Sequence, residues 1–105
     1  MNENDLRIAS RFKELVEKKV RIKRFIVFGS RVRGDAFPES DLDVLVEVES
    51  LTADINEYIM DCAWEAGFEE LIHVSPAIYT SDELTNGSQA ASILVETALS
   101  EGVPV

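Results

Sequence analysis

No lysine or arginine follows Arg33 in this 105-residue chain, although sixteen aspartates and glutamates do. All ten basic side chains fall between Arg7 and Arg33, against four acidic ones in the first 33 residues, so the opening segment carries +6 and the remainder −16, a net −10. A body this acidic repels polyanions, which excludes long nucleic acid as a partner. It suits a basic protein partner, and it would equally serve solubility or life at high salt or temperature. Cysteine is nearly absent: Cys62 stands alone, so no internal disulfide can form, and a reducing cytoplasm is the expected setting. As a lone thiol it reads as a small core residue rather than a nucleophile. No apolar run nears the ~20 residues that a membrane span requires. The opening Met1-Asn2-Glu3-Asn4-Asp5 has neither a basic nor an apolar leader segment, so no signal peptide is expected. Repeats, linkers and low-complexity tracts are missing too. A single domain over residues 1–105 follows.

What is there is concentrated in one stretch. Phe25-Ile26-Val27-Phe28 is an apolar run closed by Gly29-Ser30, and ten residues later comes Asp41-Leu42-Asp43. The run reads as a buried strand. A glycine at its end lets the chain turn sharply and lets a ligand approach closely. A short helix starting there would aim free N–H groups at an anion, with the Ser30 hydroxyl beside them. Asp41 through Val48 is rich in β-branched residues, with Val44, Val46 and Val48 at period two, and reads as a second strand. Asp41 and Asp43 then share one face, roughly 7 Å apart at the backbone. Two such carboxylates repel unless a cation lies between them. Mg²⁺ is commonly held by one or two carboxylates plus substrate phosphates. The pattern points to Mg²⁺–nucleotide binding and in-line attack at phosphorus. Arg31 and Arg33 flank the turn and are the candidate phosphate contacts.

The rest of the chain supplies a frame. Asp5 can cap a helix to about Lys19, with Ile8, Phe12, Leu15 and Val16 on one face; its basic residues read as a solvated face. Arg21 to Phe28 is the first strand and residues 34–40 a Gly- and Pro-punctuated loop. Ser50 or Thr52 opens a helix that stops near Gly67, with Ile55, Ile59, Cys62, Ala63 and Ala66 inward and Tyr58 and Trp64 off that stripe. One of those two aromatics is expected to face a partner. Leu71 to Tyr79 is a third strand, and Pro76 places it at an edge, where pairing into a homo-oligomer is open to it. A short turn at Ser81-Asp82-Glu83-Leu84 precedes a last helix to about Ser100, and Gly102 to Val105 is a tail. The expected fold class is α/β (α+β), a three-stranded mixed sheet with helices on one side.

The string Phe28-Gly29-Ser30-Arg31-Val32-Arg33-Gly34, then Ser40-Asp41-Leu42-Asp43-Val44-Leu45-Val46, resembles the polymerase-β-like nucleotidyltransferase superfamily, and within it the minimal nucleotidyltransferases, or MNT proteins. The resemblance implies a nucleotidyltransferase fold. It implies Asp41 and Asp43 as catalytic metal-holders, Gly29 and Ser30 on the β- and γ-phosphates, and Mg²⁺ as cofactor. It also implies ATP as donor and, as acceptor, a tyrosine of a HEPN-domain toxin that the MNT protein neutralises as antitoxin. Active members carry a third carboxylate on a later strand. Here that strand, Leu71 to Tyr79, has none; His73 stands nearest, a candidate general base because imidazole ordinarily titrates near neutrality, and Glu69 and Glu70 lie just before it. Two functions therefore stay open: an AMP-transferring enzyme, or a catalytically impaired module that neutralises a HEPN ribonuclease by complex formation.

Overall fold

The computed structural model describes residues 1–105, the side chain of Ala90 apart. Nine elements follow in order: α1 (Glu3–Glu17), β1 (Ile22–Phe28), α2 (Ser30–Arg33), β2 (Leu42–Val48), α3 (Ala53–Phe68), β3 (Val74–Thr80), α4 (Ser81–Asn86), α5 (Gln89–Glu101) and β4 (Val103–Pro104). The sheet runs β3-β2-β1-β4. β1 pairs antiparallel with β2 and with β4, and β2 pairs parallel with β3. No helix among the described residues is long and apolar enough to cross a membrane.

Alternation along the strands divides the sheet into two unequal faces. Phe25, Val27, Val44, Val46 and Val48 point to one side, where they meet Ile8, Phe12 and Val16 of α1 and Ile59, Cys62, Ala63 and Ala66 of α3. This is the main core, with the Phe12 and Phe25 ring centroids 5.3 Å apart. The opposite face holds a smaller cluster, Ile26 and Leu45 under Ala98 of α5. Helices thus cover both faces, not the one side expected: Ala98, Leu94 and Val95 of α5 pack on the second face against Ile26 and Leu45, which the strand alternation turns away from α1 and α3.

The sheet also has four strands where three were expected. The tail folds as β4, with Val103 opposite Val27 and Pro104 opposite Ile26. Two residues cannot show an alternating pattern, but they cover part of the β1 backbone that β2 leaves unpaired. β3 lies at the other edge, and Pro76 sits within it without interrupting an inner ladder.

Two helix ends differ from expectation. Asn2, not Asp5, caps α1, accepting from the Asp5 N–H at 2.8 Å; Asp5 lies inside the first turn with its carboxylate turned inward. α3 opens at Thr52 as expected, its hydroxyl accepting from Ile55, but runs through Gly67 to Phe68. Gly67 is there for space rather than to stop the helix: a Cβ at that position would lie 1.9 Å from the carbonyl oxygen of Ile72. Gly67→Ala is expected to cost about 1–3 kcal/mol as this backbone contact is forced apart, read as a lowered urea midpoint.

Candidate nucleotide site

The β1–β2 register builds the site. Phe28, the last residue of β1, pairs with Asp43, so the turn at Gly29 begins directly beside that carboxylate. Gly29 has φ +86°, and a Cβ there would lie 2.4 Å from Asp43 Oδ2. Both the dihedral and the space demand glycine. The turn leads into α2, a single helical turn whose opening N–H groups have no intrahelical acceptors. Gly34, also at φ +86°, ends it.

Asp43 is half-buried and Asp41 exposed. Burial is the main cause that pushes the Asp43 carboxyl above its usual range, and the neighbouring Asp41 charge adds to it; Arg33 and His73 partly oppose the rise. The structure thus brings Gly29, Ser30, Arg33, Asp41, Asp43 and His73 into one neighbourhood. No group of three or more His, Cys, Asp or Glu among the described residues could hold a metal ion. A carboxylate destabilised by burial and by a neighbouring one fits a cation that brings its remaining oxygen ligands with a nucleotide, the usual habit of Mg²⁺.

Arg31 has a different task from the expected phosphate contact. It is 9% exposed. Its guanidinium meets Asp5, itself 2% exposed, at 2.9 Å and donates to the Ser40 and Pro38 carbonyls at 2.9 Å each. All of this ties the turn to α1 and to the far end of the 34–40 loop. Spacing could not show it, because the partner lies on another element.

His73 precedes β3, and its carbonyl accepts from the Leu42 N–H at 2.9 Å. In the parallel register the residue opposite Asp43 is Ser75. The position beside Asp43 on the third strand is therefore a hydroxyl, and His73 stands one pleat away, toward Asp41. Sequence reasoning missed one carboxylate altogether. Glu101, at the end of α5, accepts through Oε1 from the Gly29 N–H at 3.1 Å and from Arg33 at 3.1 Å. Arg33 also holds Asp35 at 3.3 Å. Asp35 foremost, then Glu101, raises the guanidinium pKa further. Nothing local marks Glu101 in the sequence; only the path of α5 across the sheet delivers it.

Removing Arg31 leaves Asp5 charged and buried. Arg31→Ala is expected to cost about 3–5 kcal/mol in denaturant unfolding. Asp43 should behave in the opposite sense. Its carboxyl is harder to ionise in the folded chain than in the unfolded one, so ionisation above its normal range weighs against folding. Asp43→Asn should raise the unfolding midpoint at neutral pH. The gain should disappear as pH falls below the ordinary carboxylate range, where the wild-type side chain is protonated in both states; thermal melts across pH 3 to 7 read this directly.

Residues 9–99 match the model of the nucleotidyltransferase domain family. Among solved structures, a candidate nucleotidyltransferase from Sulfolobus solfataricus is similar at 21% identity, with a TM-score of 0.48, over 97% of this chain and 82% of that one. No curated protein matches the chain. The family match takes in the turn, the carboxylate pair and all of the main core but Ile8, and the chain belongs to the nucleotidyltransferase domain family.

Proposed function

We propose that this protein is a Mg²⁺-dependent nucleotidyltransferase that moves AMP from ATP to a hydroxyl on another protein, a tyrosine of a HEPN-domain toxin, and so acts as its antitoxin. The observation that carries the reading is the Asp43 carboxylate lying against the Gly29 backbone, with Asp41 near enough for its charge to act on it. Cation ligands and phosphate donors are adjacent there, as a metal–triphosphate requires.

Each residue has a role in this scheme. The N–H groups that open α2 and the Ser30 hydroxyl meet the β- and γ-phosphates, and Arg33 adds positive charge. Asp41 and Asp43 would hold Mg²⁺, which when bound offsets charge at the α-phosphate and lowers the acceptor pKa. His73 takes the proton from the acceptor hydroxyl as its oxygen bonds to the α-phosphorus and pyrophosphate leaves.

A protein acceptor is supported by the surface next to His73. Trp64 stacks on Phe68 with ring centroids 4.6 Å apart, and Leu71 is 88% exposed. With Ile72 and His73 they line a cavity of about 190 Å³. Leu71 takes φ +55°, an unfavourable backbone for a leucine. Exposed apolar groups in a row beside a reactive edge are characteristic of protein contact. The same stretch of chain carries Asp61, Glu65, Glu69 and Glu70; Arg7 of α1 pairs with Glu70 at 3.0 Å, and the net negative charge that remains favours a basic partner. Tyr58 is not part of this surface, since its hydroxyl donates to the Leu15 carbonyl within the α1–α3 packing.

A second reading has its own observation. Ser75, not a carboxylate, faces Asp43, which favours a binding module that occludes the toxin without modifying it. Incubation with α-³²P-ATP, Mg²⁺ and the HEPN-domain protein separates the two. Under the first reading label moves to the partner, Asp43→Ala lowers transfer about a hundredfold or more, and His73→Ala lowers it about a hundredfold. Toxin inhibition that survives Asp41→Ala with Asp43→Ala, without label transfer, establishes the second.

A further inference from the structure

The Gly29 N–H, which belongs to the turn that should receive phosphate, is already occupied. Its acceptor is Oε1 of Glu101, and the same oxygen accepts from Arg33, each at 3.1 Å. The Glu101 side chain is 25% exposed, so solvent and ligand reach the contact. A carboxylate held by a backbone amide and a guanidinium makes the interactions that a phosphate oxygen would make there.

We propose that Glu101 is a specificity-determining residue of the nucleotide site: an internal anion on the phosphate donors, which a nucleotide must displace to bind. The inference rests on the nucleotide reading above. Displacement needs only rotation about side-chain bonds, because α5 and β4 stay anchored by Ala98 on the sheet and by the Val103–Val27 pairing. The displaced carboxylate repels any anion that fails to bring its own cation. A Mg²⁺–triphosphate brings one and has the phosphates to replace both hydrogen bonds. AMP lacks the β- and γ-phosphates, so it does not contest Gly29 and Arg33 and gains nothing when Glu101 is removed. Glu101 thus lowers the affinity for polyphosphate to a level at which product pyrophosphate also leaves.

Calorimetric titration of the full chain with Mg²⁺–ATP and, separately, with AMP tests this in four proteins: wild type, Glu101→Gln, Glu101→Asp and Glu96→Gln. Glu96 is an exposed residue of the same helix and controls for net charge. Both Glu101 variants should bind Mg²⁺–ATP about fivefold tighter or more, since each loses a charge-assisted contact in the free protein. Glu101→Asp keeps the charge and only shortens the reach, so a gain shared by both variants reports the contact itself; it also stands in should the Gln variant unfold. AMP affinity, and Mg²⁺–ATP affinity in Glu96→Gln, should stay within about twofold. A wild type that binds Mg²⁺–ATP while the Glu101 variants bind it equally or more weakly overturns the gate alone, as does an equal gain in Glu96→Gln. Absence of Mg²⁺–ATP binding in all four proteins overturns the nucleotide reading and the gate with it.

Discussion

The pairing of Phe28 with Asp43 across the β1–β2 hairpin is the constraint on which the rest of the site depends. It places the end of one strand beside the start of the other, so the turn and the carboxylate share one small volume. The carboxylate lies where a side chain at position 29 would be, and the chain turns there with φ +86°. A one-residue slip of β2 would carry Asp43 to the opposite face, beside Phe25 and Val27, and turn Val44, Val46 and Val48 out of the core. The core therefore enforces the register, because Val44, Val46 and Val48 must all stay on the α1–α3 side. Site geometry and hydrophobic burial are settled by the same alternation.

The two faces of the sheet divide stability from chemistry. One is filled by α1, α3 and large apolar residues. The other carries Asp43, Leu45 and Glu47 in succession on β2, with only a small apolar cluster under α5. On that second face the charges are paired where they are deepest: Glu47 accepts from Arg24 at 2.5 Å, and its carboxyl sits below the usual range because Arg24, Ser81 and Lys23 outweigh the burial that pushes it up. Asp43 is the exception. Burial and Asp41 act on it in the same unfavourable direction, and no basic residue is hydrogen-bonded to it among the described contacts. A carboxyl kept short of compensation beside an open glycine turn supports the proposed cation site, whereas a fully paired one like Glu47 would not.

Periodic features were legible in the sequence, and pairings between elements were not. The strands Ile22–Phe28 and Leu42–Val48 and the inward stripe of α3 follow from repeat patterns, and the Gly-Ser turn with its aspartates follows from spacing. The residues beyond the turn were harder. Arg31 and Arg33 look equivalent on paper, both beside a phosphate cradle. The fold separates them because Arg31 lies over α1, where Asp5 waits, while Arg33 points to solvent and α5. Asp5 was itself ambiguous: an aspartate near a helix start can cap it or pair elsewhere, and Asn2 takes the cap. β4 and Glu101 left no local trace at all. Both depend on where α5 ends, which is decided by packing of Ala98 on Ile26 and Leu45.

That last dependence joins the chain's two ends of behaviour. Residues 101–105 close part of the sheet edge, place a carboxylate on the turn, and return the chain to α1, where Lys13 donates to the Val105 carbonyl. The basic first third and the acidic remainder meet here: Lys13 and Arg33 from the one, Glu101 and the terminal segment from the other. In a chain whose positive charges all precede Gly34, every cation that reaches the site must come from this first third or arrive with the ligand. Arg31 is spent on Asp5 and Arg33 is shared between Asp35 and Glu101. The protein's own positive charge near the turn is thus largely neutralised within the fold, and in the proposed reaction a triphosphate would be held there together with its metal ion. The divalent cation of the proposed function is supported by where the arginines are committed as much as by where the aspartates stand.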